Sequence, residues 1–197
     1  GRWENLCPAL HLPLQSGSDR ILDRMGRRYT QEAYMHLIRE LRRVRPEIVL
    51  STDIIVGFPG ETEADFEQTM QVLDWAGFDS SFSFKYSQRP GVRATRLSGQ
   101  VPEEVKAERL TRLQALQDRL TQRSMQKLLH HSVQVLVEKQ SSRTTAESAQ
   151  WQGREPGGRV VNFSWPGKEN LTGRFIQVRV TKALKHSVSG EVEKGPW

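Results

Sequence analysis

Ile48-Val49-Leu50-Ser51-Thr52-Asp53-Ile54-Ile55-Val56-Gly57-Phe58-Pro59-Gly60-Glu61-Thr62 is the stretch from which the fold is read. Its first nine residues are apolar apart from Ser51, Thr52 and Asp53, which predicts a strand covered on both faces, as in a parallel sheet. Gly57-Phe58-Pro59-Gly60 makes a turn. Thr62, with Asp65 three residues on, opens a helix, the aspartate standing in for the usual Glu or Gln of a capping box. Phe66, Thr69, Met70, Leu73 and Ala76 give that helix its buried stripe, and Gly77 stops it. Phe78, Ser80, Phe82, Phe84 and Tyr86 then alternate with Asp79, Ser81, Ser83 and Lys85 at strand spacing.

Upstream, Leu10-His11-Leu12-Pro13-Leu14 reads as a strand entering the polar turn Gln15-Ser16-Gly17-Ser18. A short helix over 19–25 is capped by Ser18 or Asp19. Thr30 caps a longer helix with Ala33, Tyr34, Leu37, Ile38, Leu41 and Val44 at three- and four-residue steps, and Pro46 ends it. Strand–helix–strand–helix–strand is the pattern of parallel α/β architecture. Downstream, Pro102, Glu103 and Glu104 open a long helix that carries Val105, Leu110, Leu113, Leu116, Leu120, Met125 and Leu128 on one side to about His130. The period then changes to two. Val133, Val135 and Val137, followed by runs at 159–163, 175–181 and 186–192 between glycine-rich turns, predict a small β-barrel or sandwich. Residues 141–158 read as a polar loop. The expected division is an α/β domain over 1–130 and an all-β module over 131–197.

The 197 residues carry a net charge of +6. Residues 1–130 hold 19 basic and 17 acidic side chains and residues 131–197 hold 10 and 6, so the shorter module carries most of the surplus. A basic module behind a near-neutral body points to a polyanion, RNA or DNA. No apolar run approaches the roughly 20 residues of a membrane span, and no signal peptide opens the chain, so a cytoplasmic protein without a membrane partner is expected. One cysteine, Cys7, excludes an internal disulfide framework and a cysteine-only metal site, and is expected to be a buried thiol.

Each of the three strands ends in a small or glycine-containing turn, and ligand sites in such folds lie at the carboxyl ends of strands. Gln15, Ser16 and Ser18 offer neutral donors and acceptors there. Asp53 inside an apolar strand needs partners: either a ligand's hydroxyls or amine, or Ser51, Thr52 and a neighbouring strand. His11 is open to the same two readings. Arg89, Arg93 and Arg96 follow the last strand and can meet phosphates. In the β-module Arg143, Arg154, Arg159, Lys168, Arg174, Arg179, Lys182 and Lys185 stand among Trp151, Phe163, Trp165 and Phe175. Cations beside exposed rings suit RNA, whose phosphates they neutralise and whose unpaired bases stack on the rings. Neither a nucleophile–base–acid set nor a Walker phosphate loop is present.

His11-Leu12-Pro13-Leu14-Gln15-Ser16-Gly17-Ser18-Asp19, Ser51 through Thr62, Phe82-Ser83-Phe84-Lys85-Tyr86-Ser87-Gln88-Arg89-Pro90-Gly91, Val101 through Lys106 and Gly158 through Phe163 together resemble the methylthiotransferase family of radical S-adenosylmethionine enzymes, most closely its MiaB-type tRNA branch. The resemblance covers nearly the whole chain. It implies the carboxyl-terminal half of a partial parallel (β/α) barrel followed by a small antiparallel β-barrel of the TRAM type. It implies a methylthio transfer to carbon 2 of an isopentenyl-adenosine beside the anticodon, in which S-adenosylmethionine is the source of a hydrogen-abstracting radical and of the methyl group. Sister branches act on threonylcarbamoyl-adenosine or on an aspartate of a ribosomal protein, and a chain that is an RNA-binding module alone is the further alternative.

By the same resemblance, Gln15, Ser16, Ser18 and Asp53 help to hold S-adenosylmethionine, with Ile55, Gly57 and Pro59 near its adenine and ribose. Arg89, Arg143, Arg159, Asn162, Arg174 and Lys182 meet RNA. The partner implied is a tRNA anticodon stem-loop rather than DNA. The family's two 4Fe–4S clusters rest on cysteines that this sequence lacks, which implies a carboxyl-terminal fragment, inactive alone and completed by an amino-terminal half. Val92 departs from the threonine usual after Arg-Pro-Gly, and the stretch 164–170 is slightly expanded.

Overall fold

A computed structural model describes residues 6–89, 91, 93–141 and 149–197. The described residues form two compact units, one of Leu10–Leu120 and one of Thr121–Trp197 together with the segment that ends at Ala9. The first is built on a three-stranded sheet of order β1 (Ala9–His11), β2 (Val49–Val56) and β3 (Ser80–Lys85). β2 and β3 are parallel, with Asp53 beside Phe82 and Ile55 beside Phe84. The segment after β1 keeps the same direction: Leu12 N–H donates to the Ser51 carbonyl, Gln15 N–H to that of Asp53, and Ile55 N–H to that of Gln15. All three following turns therefore lie at one end of the sheet.

Helices α1 (Asp19–Arg24), α2 (Gln31–Val44) and α3 (Glu63–Ala76) connect the strands. Thr30 Oγ1 accepts from Ala33 N–H at the start of α2. Thr62 and Asp65 complete a reciprocal capping box at α3, and Gly77 ends that helix in the left-handed conformation. At α1, by contrast, Ser18 makes no side-chain cap; its hydroxyl is engaged elsewhere. α4 (Glu103–Gln126) begins in the first unit, where Leu113, Leu116 and Leu120 join its core, and Met125 joins the core of the second.

β2 is not covered on both faces. Leu50, Thr52, Ile54 and Val56 are buried in the core with Phe66, Leu73 and Phe78, while Ser51, Asp53 and Ile55 lie on a half-exposed face. On β3 the same face carries Phe82 and Phe84, 58% and 56% exposed. The three polar residues of 48–56 divide between the faces, Thr52 inward and Ser51 and Asp53 outward, and Ile55 is the apolar residue of β2 that sits on this open side. Cys7 is exposed, not buried.

The second unit is a closed barrel, β4 (Ser132–Gln140), β5 (Ala149–Arg154), β6 (Val160–Trp165), β8 (Val188–Lys194) and β7 (Phe175–Ala183) in ring order. β5 lies inside the stretch read as a polar loop; Trp151 and Gly153 alternate inward there between polar neighbours, a strand pattern hidden by its glutamines. The barrel is antiparallel except for β6 and β8, which run parallel. Strand directions cannot alternate all the way round a ring of five, so one such ladder is required.

Candidate functional site: the open face of the sheet and the basic barrel

The polar residues at the strand ends divide into two groups. In the loop after β1, Ser18 Oγ donates to Asp65 Oδ1 at 2.6 Å, Gly17 N–H donates to Thr69 Oγ1 at 2.9 Å, and Ser16 Oγ lies 3.4 Å from the same hydroxyl. Gly17 touches α3 so closely that a Cβ there would lie 2.6 Å from Thr69 Cα. Asp65 also receives Arg20 and the Thr62 backbone and hydroxyl. Burial alone would push its carboxyl up, but these donors outweigh burial and hold it well below the usual carboxylate range.

The turn after β2 is closed in the same manner. Gly57, at φ +71°, donates its N–H to Glu61 Oε2 at 2.7 Å, and buried Arg109 donates to the same carboxylate at 2.8 Å. Burial pushes the Glu61 carboxyl up against the opposing pull of Gly57 and Arg109. Gly57 and Pro59 are buried, and the Pro59 carbonyl accepts from Arg24 Nε at 3.0 Å. The Glu61–Arg109 pair was not anticipated; the only sign in the sequence is an arginine among the apolar residues of α4.

Gln15, Asp53 and Ile55 belong to the second group. Gln15 holds a left-handed backbone, φ +65°, uncommon for a residue with a side chain, and its amide has no hydrogen-bond partner among the described residues. Asp53 and Ile55 stand on the open sheet face. His11 bridges this face: its Nδ1 is 2.9 Å from Ser51 Oγ, its Nε2 is 3.3 Å from Asp53 Oδ1, and its ring meets Phe82 edge-on. A neutral ring serves both partners by accepting from Ser51 and donating to Asp53.

Where β2 and β3 end, a cleft of about 890 Å³ opens, lined by Ile55, Phe58, Phe84, Tyr86, Arg27 and Arg89 among others. The Tyr86 hydroxyl is buried without a partner, and the guanidinium groups of Arg27 and Arg89 have none among the described residues. The cleft offers apolar and aromatic walls of the kind that fit the adenine of S-adenosylmethionine; Asp53, half-exposed on the sheet face, and Gln15, buried in the turn after β1, are not among its lining residues. Ser16 and Ser18 fit S-adenosylmethionine only as supports, since their hydroxyls are already engaged. Among the described residues no group of three or more His, Cys, Asp or Glu could hold a metal ion.

In the barrel, Trp151 and Phe163 of the expected aromatic set do not lie on the surface. Trp151 and Phe163 are buried in the core with Val135, Val161, Ile176 and Val178, and Trp165 packs against them. Arg159 is drawn inward onto Glu155 Oε1 at 3.0 Å and Ser124 Oγ at 3.3 Å, and Asn162 donates to the Val188 carbonyl across the parallel ladder. Arg174 and Lys182 are exposed. Arg143 and Val92 lie outside the described residues. No helix among the described residues is long and apolar enough to cross a membrane.

Comparison with known proteins agrees with this division. Residues 3–73 match the model of the radical SAM superfamily, which implies S-adenosylmethionine and iron–sulfur chemistry, and residues 131–192 match the TRAM domain, which suggests RNA binding. The chain is 52% identical over its full length to the tRNA-2-methylthio-N(6)-dimethylallyladenosine synthase of Nitratidesulfovibrio vulgaris, of which it covers 44%. It is 48% identical, over 97% of its length, to the enzyme of that name from Lawsonia intracellularis, covering 42% of it, and 43% identical over 98% to that of Moorella thermoacetica, covering 43%. The chain thus spans less than half the length of the curated relatives it matches. With a radical SAM match, a TRAM match and high identity running through both units, the chain is similar over its whole length to part of the MiaB-type methylthiotransferases of the radical SAM superfamily.

Proposed function

We propose that this chain is the carboxyl-terminal part of a cytoplasmic tRNA-modifying enzyme that places a methylthio group on carbon 2 of the isopentenyl-adenosine beside the anticodon. The observation that carries the reading is identity of about one residue in two, through both units at once, to synthases named for that product. S-Adenosylmethionine, when bound, supplies the radical chemistry and the methyl group. The residues of this chain bind and orient it. Asp53 accepts hydrogen bonds from its hydroxyls or amine, the Gln15 amide supplies a further contact, and Ile55 packs on its adenine. Gly57 and Pro59 set the turn beside it, while Ser16 and Ser18 fix the loop that aims Gln15.

Arg89 at the cleft, and Arg174 and Lys182 on the barrel, meet tRNA phosphates, with Arg143 in the same role. Arg159 and Asn162 serve the barrel itself. Both 4Fe–4S clusters rest on an amino-terminal half outside this sequence, so the 197 residues alone bind tRNA without turning it over.

Disrupting the gene and analysing tRNA nucleosides by mass spectrometry tests the reading. Loss of the 2-methylthio-isopentenyl nucleoside, with isopentenyl-adenosine accumulating, is the expected result. Accumulation of threonylcarbamoyl-adenosine, or an unmodified ribosomal protein aspartate, would move the chain to a sister branch. Turnover by the isolated chain after reconstitution with iron and sulfide would overturn the division of labour.

A further inference from the structure

The aromatic residues that the barrel has on its outside form one row. Leu136 of β4 stands opposite Arg154 of β5 on one side and opposite Phe175 of β7 on the other. Phe175 and Trp197 exchange both backbone hydrogen bonds, at 3.1 and 3.2 Å, so their side chains share a face. Val135, Val137 and Ile176, their neighbours along the strands, are buried, which turns Leu136 and Phe175 outward. Leu136, Phe175 and Trp197 are 43%, 40% and 50% exposed. Four strand positions abreast span roughly 15 Å at the usual strand separation. None of the three belongs to the core cluster of the barrel.

We propose that this row is a stacking platform for unpaired bases of single-stranded RNA. The inference rests on the reading of the barrel as an RNA-binding module and adds which face binds and by what contact. An apolar row by itself suits a protein or a base; the charges around it favour the base. Arg154, already paired with Glu138 and the Gly158 carbonyl, closes one end of the row, so the cation left for a phosphate is Arg174, adjacent to Phe175 in the chain, whose guanidinium has no partner among the described residues. The carboxylates on neighbouring positions are compensated, Glu138 by Arg154 and Glu193 by Arg179. Two residues along the same face, Gln134 and Gln177 stand opposite each other; the Gln177 amide already donates to Ser132 Oγ at 2.9 Å, which leaves Gln134 to meet a base edge. A duplex hides the faces of its bases, so the platform selects an unpaired loop.

The test is a fluorescence-anisotropy titration of the 197-residue chain with a labelled anticodon stem-loop and with a fully paired duplex of equal length. The loop should bind at least tenfold more tightly. Phe175→Ala and Trp197→Ala should each weaken loop binding about tenfold, within the range of one lost stacking contact, and leave its salt dependence unchanged. Phe175→Tyr should bind as wild type does. Arg174→Ala should instead reduce the salt slope by about 0.7. Circular dichroism melts establish that each variant is folded. Wild-type affinity in folded Phe175→Ala and Trp197→Ala overturns the platform and leaves the RNA-binding reading standing. Absence of wild-type binding to either RNA at low salt removes that reading and the platform with it. A dimer in sedimentation that Phe175→Ala converts to monomer makes the row a contact between copies and overturns the proposal.

Discussion

The loop after β1 and the sheet face beside it begin with the same materials, short polar side chains next to glycine and aliphatic residues, and end in opposite states. Ser16, Gly17 and Ser18 are buried, and each is joined to Thr69 or Asp65 of α3. Ser51, Asp53, His11, Phe82 and Phe84, on the other side of the sheet, face outward, and the side-chain partners that Ser51, Asp53, His11 and Phe82 have among the described residues are one another. The difference teaches that a polar residue at a strand end is free for a ligand only where no helix covers it. α3 satisfies one side of the sheet; nothing in the described residues of this unit covers the other.

The largest effect should come from filling the tightest contact on the closed side. Gly17→Val places atoms within 2.7 Å of the Gln68 carbonyl oxygen and closer still to Thr69 Cα, and backbone cannot move aside as a flexible side chain does. A loss of about 4 kcal/mol in urea unfolding is expected. A wild-type midpoint would mean that the loop is not clamped to α3 and that Ser16 and Ser18 are available after all.

Asp65→Asn is next, at about 2 kcal/mol near neutral pH, because it removes the charge paired with Arg20 and turns one of two acceptor oxygens into a donor that faces other donors. The native carboxyl titrates below its unfolded value, so the stability it adds is complete above the unfolded value. The gap between wild type and Asp65→Asn should therefore be constant from pH 6 to 8. It should start to close below about pH 4 and narrow further toward the depressed native value. A gap that widened in acid would contradict the assignment.

Much of this frame is visible in the residues themselves. Thr62 with Asp65, and Thr30 before a 3.6-residue stripe, mark helix starts because capping is local chemistry. β5 was hidden because Gln150 and Gln152 flank Trp151 in a stretch that otherwise reads as loop, and its strand character comes only from pairing with β4 and β6. The site was half legible. Asp53 stood out within an apolar strand and Ile55 came only from the family resemblance, while whether Ser16 or Gln15 meets a ligand depends on the position of α3, which no local pattern encodes. Arg159 and Trp151 show the same limit in the barrel, since only the closed ring decides which cations and rings point inward.

On the open side the expected pattern reverses, with binding lost and stability kept. Asp53→Asn removes a charge from a half-exposed position and should shift the unfolding midpoint by no more than about 0.5 kcal/mol. Affinity of the full-length protein for S-adenosylmethionine, read by calorimetry, should fall about tenfold. Equal losses of stability and affinity would place Asp53 with the scaffold.

The smallest effect belongs to His11. Its ring is exposed and bridges Ser51 and Asp53, so it touches the proposed ligand only through the carboxylate that it steadies. His11→Ala should leave stability within about 0.3 kcal/mol of wild type. Affinity for S-adenosylmethionine should drop about threefold, the size expected when a long, exposed hydrogen bond that orients a carboxylate is lost. His11→Gln, whose amide can donate to the same carboxylate, should recover most of that loss. The double variant His11→Ala with Asp53→Asn should bind no worse than Asp53→Asn alone, because a residue that acts only through another has nothing left to position. Additive losses in that cycle would show instead that the imidazole meets the ligand directly, and would extend the open face's binding surface to the edge of β1.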